Sequence, residues 1–376
     1  MYIRDPVHKN IDFDDFQERI LNTGEMQRLR YIKQMGFCNL VYPGANNTRF
    51  EHCAGVMHVA RELEARVYED SRPEVAYIGL LHDIGHGPFS HQSEPILKRY
   101  LHKSHEQMGE EIVNGSEIRD ILSDAGLDVP FILGYFRDEM NCEIVGGALG
   151  ADRVDYLMRD SLYTGVAYGI IDYTRIKSKM TEHKGRPAIY EQGVSGAESL
   201  LIARYFMIKN VYMHHVEIIA EGMFQTALNE AIENERLDPK VVHGLNDAQL
   251  FGRLLDIEGS GGPIHRIMGR DLFKRAFYKN AGADLKEEEV TSELGRLGLE
   301  PADYVVSLSQ LRGSKMDIGV VDKDGDFVGN LSEISPLIKT LNTTLLSERK
   351  LLVACDEANV ERVGAAMGRL AGENSG

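Results

Sequence analysis

Apolar residues recur at helical spacing through most of the first 235 positions of the chain. Met26, Leu29, Ile32 and Met35 follow at three-residue steps between Arg28, Arg30 and Lys33, which predicts a helix over 25–36 behind a shorter one over 14–21. Residues 1–12 read as extended, with Asp5-Pro6 as a turn, and Tyr42 to Thr48 reads as a loop rich in Pro, Gly and Asn. Further helices are expected from Thr48 toward Tyr68 and over 74–82, 94–113, 118–122, 131–136 and 152–162. The longest helical pattern runs from Ser199 to Glu235 through Leu200, Leu201, Ile208, Val211, Ile218, Ile219 and Phe224. Gly259 to Pro263 reads as a loop. Near residue 300 the pattern shortens. Tyr304–Leu308, Ile318–Val321 and Leu351–Cys355 read as strands, Asp322–Asp326 as a hairpin turn, and 334–341 and 359–370 as helices. The acidic turn lacks the later Glu that a calcium loop needs. The pattern predicts a mainly α protein, with a helical domain over 1–298 and a small α/β subdomain over 299–376.

Composition narrows the class. The 376 residues suffice for a sizeable core, and the net charge of −16 disfavours non-specific binding to nucleic acid or anionic membranes. A local basic pocket could still take an anionic small molecule. Cys38, Cys53, Cys142 and Cys355 show no paired spacing, so no disulfide framework or zinc ribbon is expected and a reducing cytoplasm fits. Met1 to Pro6 leads into no apolar core, so no secretory leader is expected, and no apolar run reaches the length of a membrane span.

The candidate chemistry lies in four stretches. The densest is Gly79-Leu-Leu-His-Asp-Ile-Gly-His-Gly-Pro-Phe-Ser-His91, where an apolar helix ends in His82-Asp83 and a Gly/Pro turn carries His86 and His91. An imidazole and a carboxylate at the end of a buried helix need compensation, and a divalent ion supplies it. The others are Asn47 to His52, with Arg49 and His52 on one helical face; Ser104-His105-Glu106; and Asp152 to Asp160, where Asp152, Tyr156, Arg159 and Asp160 line a face. Each alone also fits a core histidine or a solvated helix surface.

Taken together, His52, His82-Asp83 and Asp152 resemble the H…HD…D signature of the HD-domain metal-dependent phosphohydrolases. Gln27 to Gln34, Tyr42 to Ala45, Arg49 to His52, His82 to His91 and Asp152 to Asp160 bring the chain nearer to the deoxynucleoside triphosphate triphosphohydrolase branch, which includes dGTPase-like enzymes and the sterile-alpha-motif/HD dNTPase. A weaker similarity continues through Arg204, Tyr212 and His214-His215. The resemblance implies a multi-helix HD bundle and one divalent ion (Mn, Fe, Ni, Zn or Mg) held by His52, His82, Asp83 and Asp152. It implies His86 and His91 as catalytic histidines, with His91 giving a proton to the leaving oxygen and His105 and Glu106 orienting it. Arg49 resembles the α-phosphate contact and Arg204 an outer-phosphate contact, while Arg153 stands where the family often has Lys. Tyr156 and Asp160 would close on the sugar, with Gln34 near its 3′-hydroxyl, and Tyr212 would be a further substrate contact. The implied substrate is a dNTP and the implied assembly a homo-oligomer. The family's nucleotide-activator pattern is matched at Gln27 and Arg30, whereas Asn22 and Met1 depart from it. Another phosphate ester as substrate, or a non-catalytic nucleotide sensor, are the alternative readings.

Overall fold

The computed structural model describes residues 1–139, 142–258, 262–282, 284–310, 317–347 and 349–371; positions 259–261 of the loop expected over Gly259 to Pro263 lie outside them. Strands β1 (Tyr2–Asp5) and β2 (Lys9–Asp12) form an antiparallel hairpin. Helix α1 (Asp15–Leu21) opens at a capping box between Asp14 and Gln17, and α2 (Gly24–Arg28) follows it. The helix expected over 25–36 stops at Arg28, apart from a 3-10 turn over Leu29–Tyr31. Backbone bonds from Gln34 to Asn47 and from Arg49 to Ile32 take the groups a longer helix would use.

The next two helices hold the centre. Helix α3 (Arg49–Val67) starts where Thr48 and Glu51 cap each other, and it is buried on nearly every face. Helix α4 (Glu74–Leu81) is apolar and packs along it. Helices α5 (Glu94–Leu101) and α6 (His105–Gly115) divide the stretch expected as one helix, because His102 turns left-handed at φ 55° and Ser104 caps a new start. Then come α7 (Glu117–Asp124), α8 (Val129–Phe136), α9 (Glu143–Gly146), α10 (Ala151–Thr164) and α11 (Tyr173–Lys179). Helix α10 packs on α3.

A hairpin of β3 (Met180–His183) and β4 (Arg186–Tyr190) precedes α12 (Val194–Met207). The long pattern over 199–235 is two helices. A π-helical turn at Ile208–Tyr212 separates α12 from α13 (His215–Glu233); such turns often mark functional positions. Helices α14 (Pro239–Gly244), α15 (Asp247–Glu258) and α16 (Pro263–Met268) follow. The remainder is β5 (Lys274–Asn280), α17 (Glu287–Arg296), β6 (Tyr304–Gln310), β7 (Gly319–Val321), β8 (Phe327–Asn330), α18 (Leu331–Ile334), α19 (Pro336–Ser347), β9 (Arg349–Cys355) and α20 (Val360–Leu370).

The protein is mainly α with small sheets. Besides the β1–β2 pair, one sheet has the order β3-β4-β7-β8, with β4 and β7 parallel, and another is β5-β9-β6, antiparallel throughout. The turn at Asp322–Asp326 joins β7 to β8 as expected. The change of pattern near residue 300 falls inside a packed unit, since β5 and α17 precede it and share a core with β6, β9 and α20.

Two glycines let the central elements approach. A Cβ on Gly55 would overlap the Asp155 carboxylate and crowd Arg159, and one on Gly85 would overlap the backbone of His105 and Gly109. Asp155 has no room to yield, because His8, His52 and Arg159 all donate to it. Gly55→Ala should therefore lower the unfolding free energy by ~1–3 kcal/mol through overpacking, read as a lower urea midpoint at unchanged slope. Wild-type stability in that variant would mean that the Asp155 side is free to move.

Candidate metal centre and adjoining cavity

Four side chains from three segments converge. His52 comes from the first turn of α3, His82 and Asp83 follow the end of α4, and Asp152 lies in the first turn of α10. His52 Nε2 is 3.2 Å from Asp152 Oδ1 and 3.7 Å from Asp83 Oδ2. His82 Nε2 is 3.4 Å from Asp83 Oδ1 and 3.9 Å from Asp152 Oδ1. Donor atoms sharing one ion at ~2.1 Å stand roughly 3–3.5 Å apart, so modest closure suffices.

The tautomers fit an ion as well. His52 Nδ1 donates to Asp155 Oδ2 at 2.8 Å, and His82 Nδ1 donates to the Gly79 carbonyl at 2.8 Å. Both Nε2 atoms are buried and have no hydrogen-bond partner. Burial works against a charge on His52, but Asp152 and Asp155 outweigh it and lift its pKa to about 10. A cation is thus wanted at Nε2, and a proton competes with a metal for that place.

Behind this cluster lies a residue that the motif reading passed over. Asp155 is fully buried, and His52, His8 Nε2 at 2.7 Å and Arg159 Nε and NH2 at 2.9 Å all donate to it. Arg159 NH1 goes on to Asp5 at 2.7 Å. The one available clue was the four-residue step from Asp155 to Arg159, which also fits an ordinary surface pair. His8 carried no signal, since only the fold of the β1–β2 hairpin brings it here.

The turn after Asp83 is strained and tied down. Phe89 and Ser90 both have left-handed backbones, at φ 59° and 54°, which side chains other than Gly rarely adopt. Asp247, at the start of α15, accepts from Phe89 N at 2.6 Å and from Lys33 N at 2.9 Å. Arg28 donates to the carbonyls of His86 at 2.8 Å and Ile84 at 3.2 Å. Ser90 Oγ, presented by the strained turn, accepts from Arg49 Nε at 2.6 Å. Arg49 NH1 bonds Asp83, and its NH2 is buried without a partner.

The three remaining histidines gather beside Asp83. His86 Nε2 is 3.3 Å from Asp83 Oδ1, and its ring stacks on His105 at 4.0 Å between centroids. Burial, then the neighbouring Arg49, holds His86 well below its usual pKa. Glu94 joins the other two: Oε2 lies 3.0 Å from His91 Nδ1, and Oε1 lies 2.6 Å from His105 Nδ1. Burial opposes the charge on His105, and Glu94 more than restores it, so its pKa is raised. Glu106 also reaches His105, with Oε1 3.2 Å from Nε2. Glu94 is a second residue that sequence reasoning missed.

A cavity of about 400 Å3 adjoins the cluster, bordered by Gln34, His91, Tyr156, Asp160 and Tyr212. Asp160 accepts from Tyr212 at 2.8 Å and from Asn47 at 2.9 Å. Burial, partly offset by these bonds, pushes it up to about 6. Arg204 Nε donates to the Tyr156 hydroxyl at 3.3 Å. Arg153 also lies against Tyr156, close to Arg204. It donates besides to the carbonyls of Gly146 and Gly147 and borders a second cavity of about 590 Å3 with His183 and Arg186. Two further acids line the first cavity, Glu217 and Glu221. Burial, then Glu221, raises Glu217 to about 8, and burial raises Glu221 to about 7.

Comparison with known proteins agrees with this geometry. Residues 49–146 match the HD domain and residues 171–372 the HD-associated region. An uncharacterized protein of Methanocaldococcus jannaschii is 34% identical over 90% of this chain and 75% of its own. The deoxynucleoside triphosphate triphosphohydrolase SAMHD1 of Gallus gallus is 29% identical over 85% of this chain and 64% of its own. The crystal structure of a hypothetical protein from Aquifex aeolicus superposes with a TM-score of 0.82 at 28% identity, covering 98% of this chain and 99% of that one. Among the described residues no helix is long and apolar enough to cross a membrane.

The raised acids predict a pH dependence of stability. The unfolded chain loses the Glu217 proton near 4.5, whereas the folded protein keeps it to about 8. Between those values the folded state binds more protons, so this group's contribution falls as pH rises. Glu217→Gln should gain stability relative to wild type as pH goes from 5 to 8, read by urea denaturation at each pH. Parallel curves for the two proteins would show an ordinary carboxyl.

Proposed function

The chain belongs to the HD-domain phosphohydrolase family, and from that premise we propose that it is a metal-dependent dNTP triphosphohydrolase, releasing a deoxynucleoside and inorganic triphosphate. The observation that carries the reading is the convergence of two partnerless Nε2 atoms and two carboxylates beside the buried Arg49, with a nucleoside-sized cavity adjoining. The metal set is His52, His82, Asp83 and Asp152. A divalent ion bound there supplies positive charge at the phosphate and lowers the pKa of a water molecule.

The protein's own groups do the rest. Arg49 is fixed by Ser90 and Asp83, and its unused NH2 is available to an α-phosphate oxygen. In-line attack of water on the α-phosphorus breaks the bond to the sugar O5′, so the deoxynucleoside leaves from the opposite side through that oxygen and the three phosphates, now carrying the water's oxygen, are released as triphosphate. His91 stands exposed at the cavity and gives its Nε2 proton to the leaving oxygen. Glu94 accepts from Nδ1 and so keeps His91 in the donating form, while its other oxygen holds His105, on which His86 stacks and to which Glu106 reaches from the far side. Tyr156, Asp160, Tyr212 and Gln34 border the sugar, and the Tyr156 ring leaves a 2′-hydroxyl little room. Arg204 and Arg153, which both lie against Tyr156, would serve the outer phosphates.

Asp83→Ala should contain no metal by elemental analysis and should release no triphosphate by ion chromatography. Hydrolysis that persists in this variant rejects the ligand set, and orthophosphate as the wild-type product would point to a different phosphoester chemistry. Glu94→Gln should keep its metal, lose ~10²-fold in kcat and shift the limb of the pH–rate profile that reports the proton donor. An unmoved profile would make Glu94 a packing residue only.

A further inference from the structure

The second cavity, of about 590 Å3, has no part in the proposed chemistry, yet one of its walls belongs to the site. It lies where the α9–α10 loop meets the sheet β3-β4-β7-β8. Arg153, next in sequence to the candidate ligand Asp152, borders it on one side. The same side chain lies against Tyr156, close to Arg204, at the first cavity. Opposite stands the β3–β4 turn, with His183, Lys184 and Arg186. Lys184 and Gly185 are left-handed there, at φ 52° and 77°, the shape of a tight two-residue hairpin. His183 stacks on Phe327 at 5.6 Å between centroids, so two flat rings make a side wall.

Cations outnumber acids here, although the whole chain carries −16. Arg153, Lys184 and Arg186 face two carboxylates, Glu143 and Asp317. Both carboxylates are engaged within the protein. Glu143 pairs with Arg186, and Asp317 accepts from the Ser332 amide at 2.9 Å and from its hydroxyl. Among the described residues Lys184 forms no ion pair across the cavity. The surplus charge calls for an anion. Cations on opposite walls favour one whose charge is spread over several groups, and guanidinium forks suit phosphate oxygens.

We propose that this cavity binds inorganic triphosphate, the reaction's own product, and that the bound anion slows the enzyme by drawing Arg153 from the outer phosphates of the next substrate. The proposal rests on the nucleotide-hydrolase reading above and adds a regulatory site to it. One guanidinium serves two neighbouring cavities. When an anion in the second holds it, the substrate's outer phosphates lose a positioning contact, and the chemical step slows even with the first cavity filled. Triphosphate bound at the metal centre itself would compete with dNTP. Triphosphate in the second cavity acts beside a bound dNTP, so its effect persists at saturating substrate.

The test measures initial rates of dNTP hydrolysis by the metal-loaded full-length protein as inorganic triphosphate is added, with the free divalent ion held constant. Wild type should lose kcat ~5-fold or more at saturating dNTP. Lys184 and Arg186 are exposed and touch no part of the proposed machinery. The double variant Lys184→Glu, Arg186→Glu should therefore keep wild-type kcat and KM without inhibitor and show competitive inhibition only. Lys184→Glu alone is read in the same way if the double variant melts early. Purely competitive inhibition of wild type, or a fall in kcat that survives in the variant, overturns the proposal and leaves the hydrolase standing. If no dNTP yields triphosphate, the hydrolase reading fails, and equilibrium dialysis of inorganic triphosphate decides the site alone. Binding weakened ~10-fold or more in the variant upholds it, and equal binding overturns it.

Discussion

The Asp155 carboxylate is the contact on which the rest of the site depends. A buried negative charge is tolerated only when its lone pairs are met, and here His8, His52 and Arg159 meet them from the β1–β2 hairpin, α3 and α10. Arg159 passes the constraint back to Asp5 at the start of the chain. Asp155 sits three residues after Asp152, so the same helix carries a candidate ligand and the group that aims another ligand. The N-terminal hairpin, remote from the motif in sequence, is thereby part of the centre's framework.

A second constraint acts from the other side. Two consecutive left-handed residues that are not glycine cost free energy, and Phe89–Ser90 keeps that shape because Asp247 and Arg28 hold the turn from α15 and α2. The return on that strain is geometric, since it presents Ser90 Oγ to Arg49 and sets His91 beside Glu94. The helices after residue 239 thus reach the chemistry through hydrogen bonds without lending it a ligand.

What could be read in advance follows from where the information lies. Helices α3, α4 and α10 were legible because each carries a long apolar face, and the H…HD…D residues because their types and order are unusual. The breaks within 25–36, 94–113 and 199–235 were not legible. Each is set by a tertiary event: the Lys33–Thr48 bridge, a left-handed His102, a π-helical turn. Strands β3 and β5 escaped notice because Met-Thr-Glu-His is short and Lys-Arg-Ala-Phe-Tyr-Lys-Asn carries three positive charges. Glu94 and Glu217 read as ordinary surface acids on helices. Only the approach of His91 and His105 to the one, and of Gln92 to the other, sets them apart.

On the proposed reading, charge makes the metal and the substrate interdependent. The chain carries a net −16, and Asp83 and Asp152 stand together where a polyanion would have to come closest. Arg49 is already committed through NH1 to Asp83, so one guanidinium cannot reverse the local sign. A divalent cation can, because it neutralises both carboxylates and leaves Arg49 NH2 free to face a phosphate oxygen. Affinity for nucleotide and affinity for metal are then linked, and each should raise the other. An acidic protein can in this way handle an acidic substrate without a basic surface, confining the positive potential to one small region that exists only when the ion does.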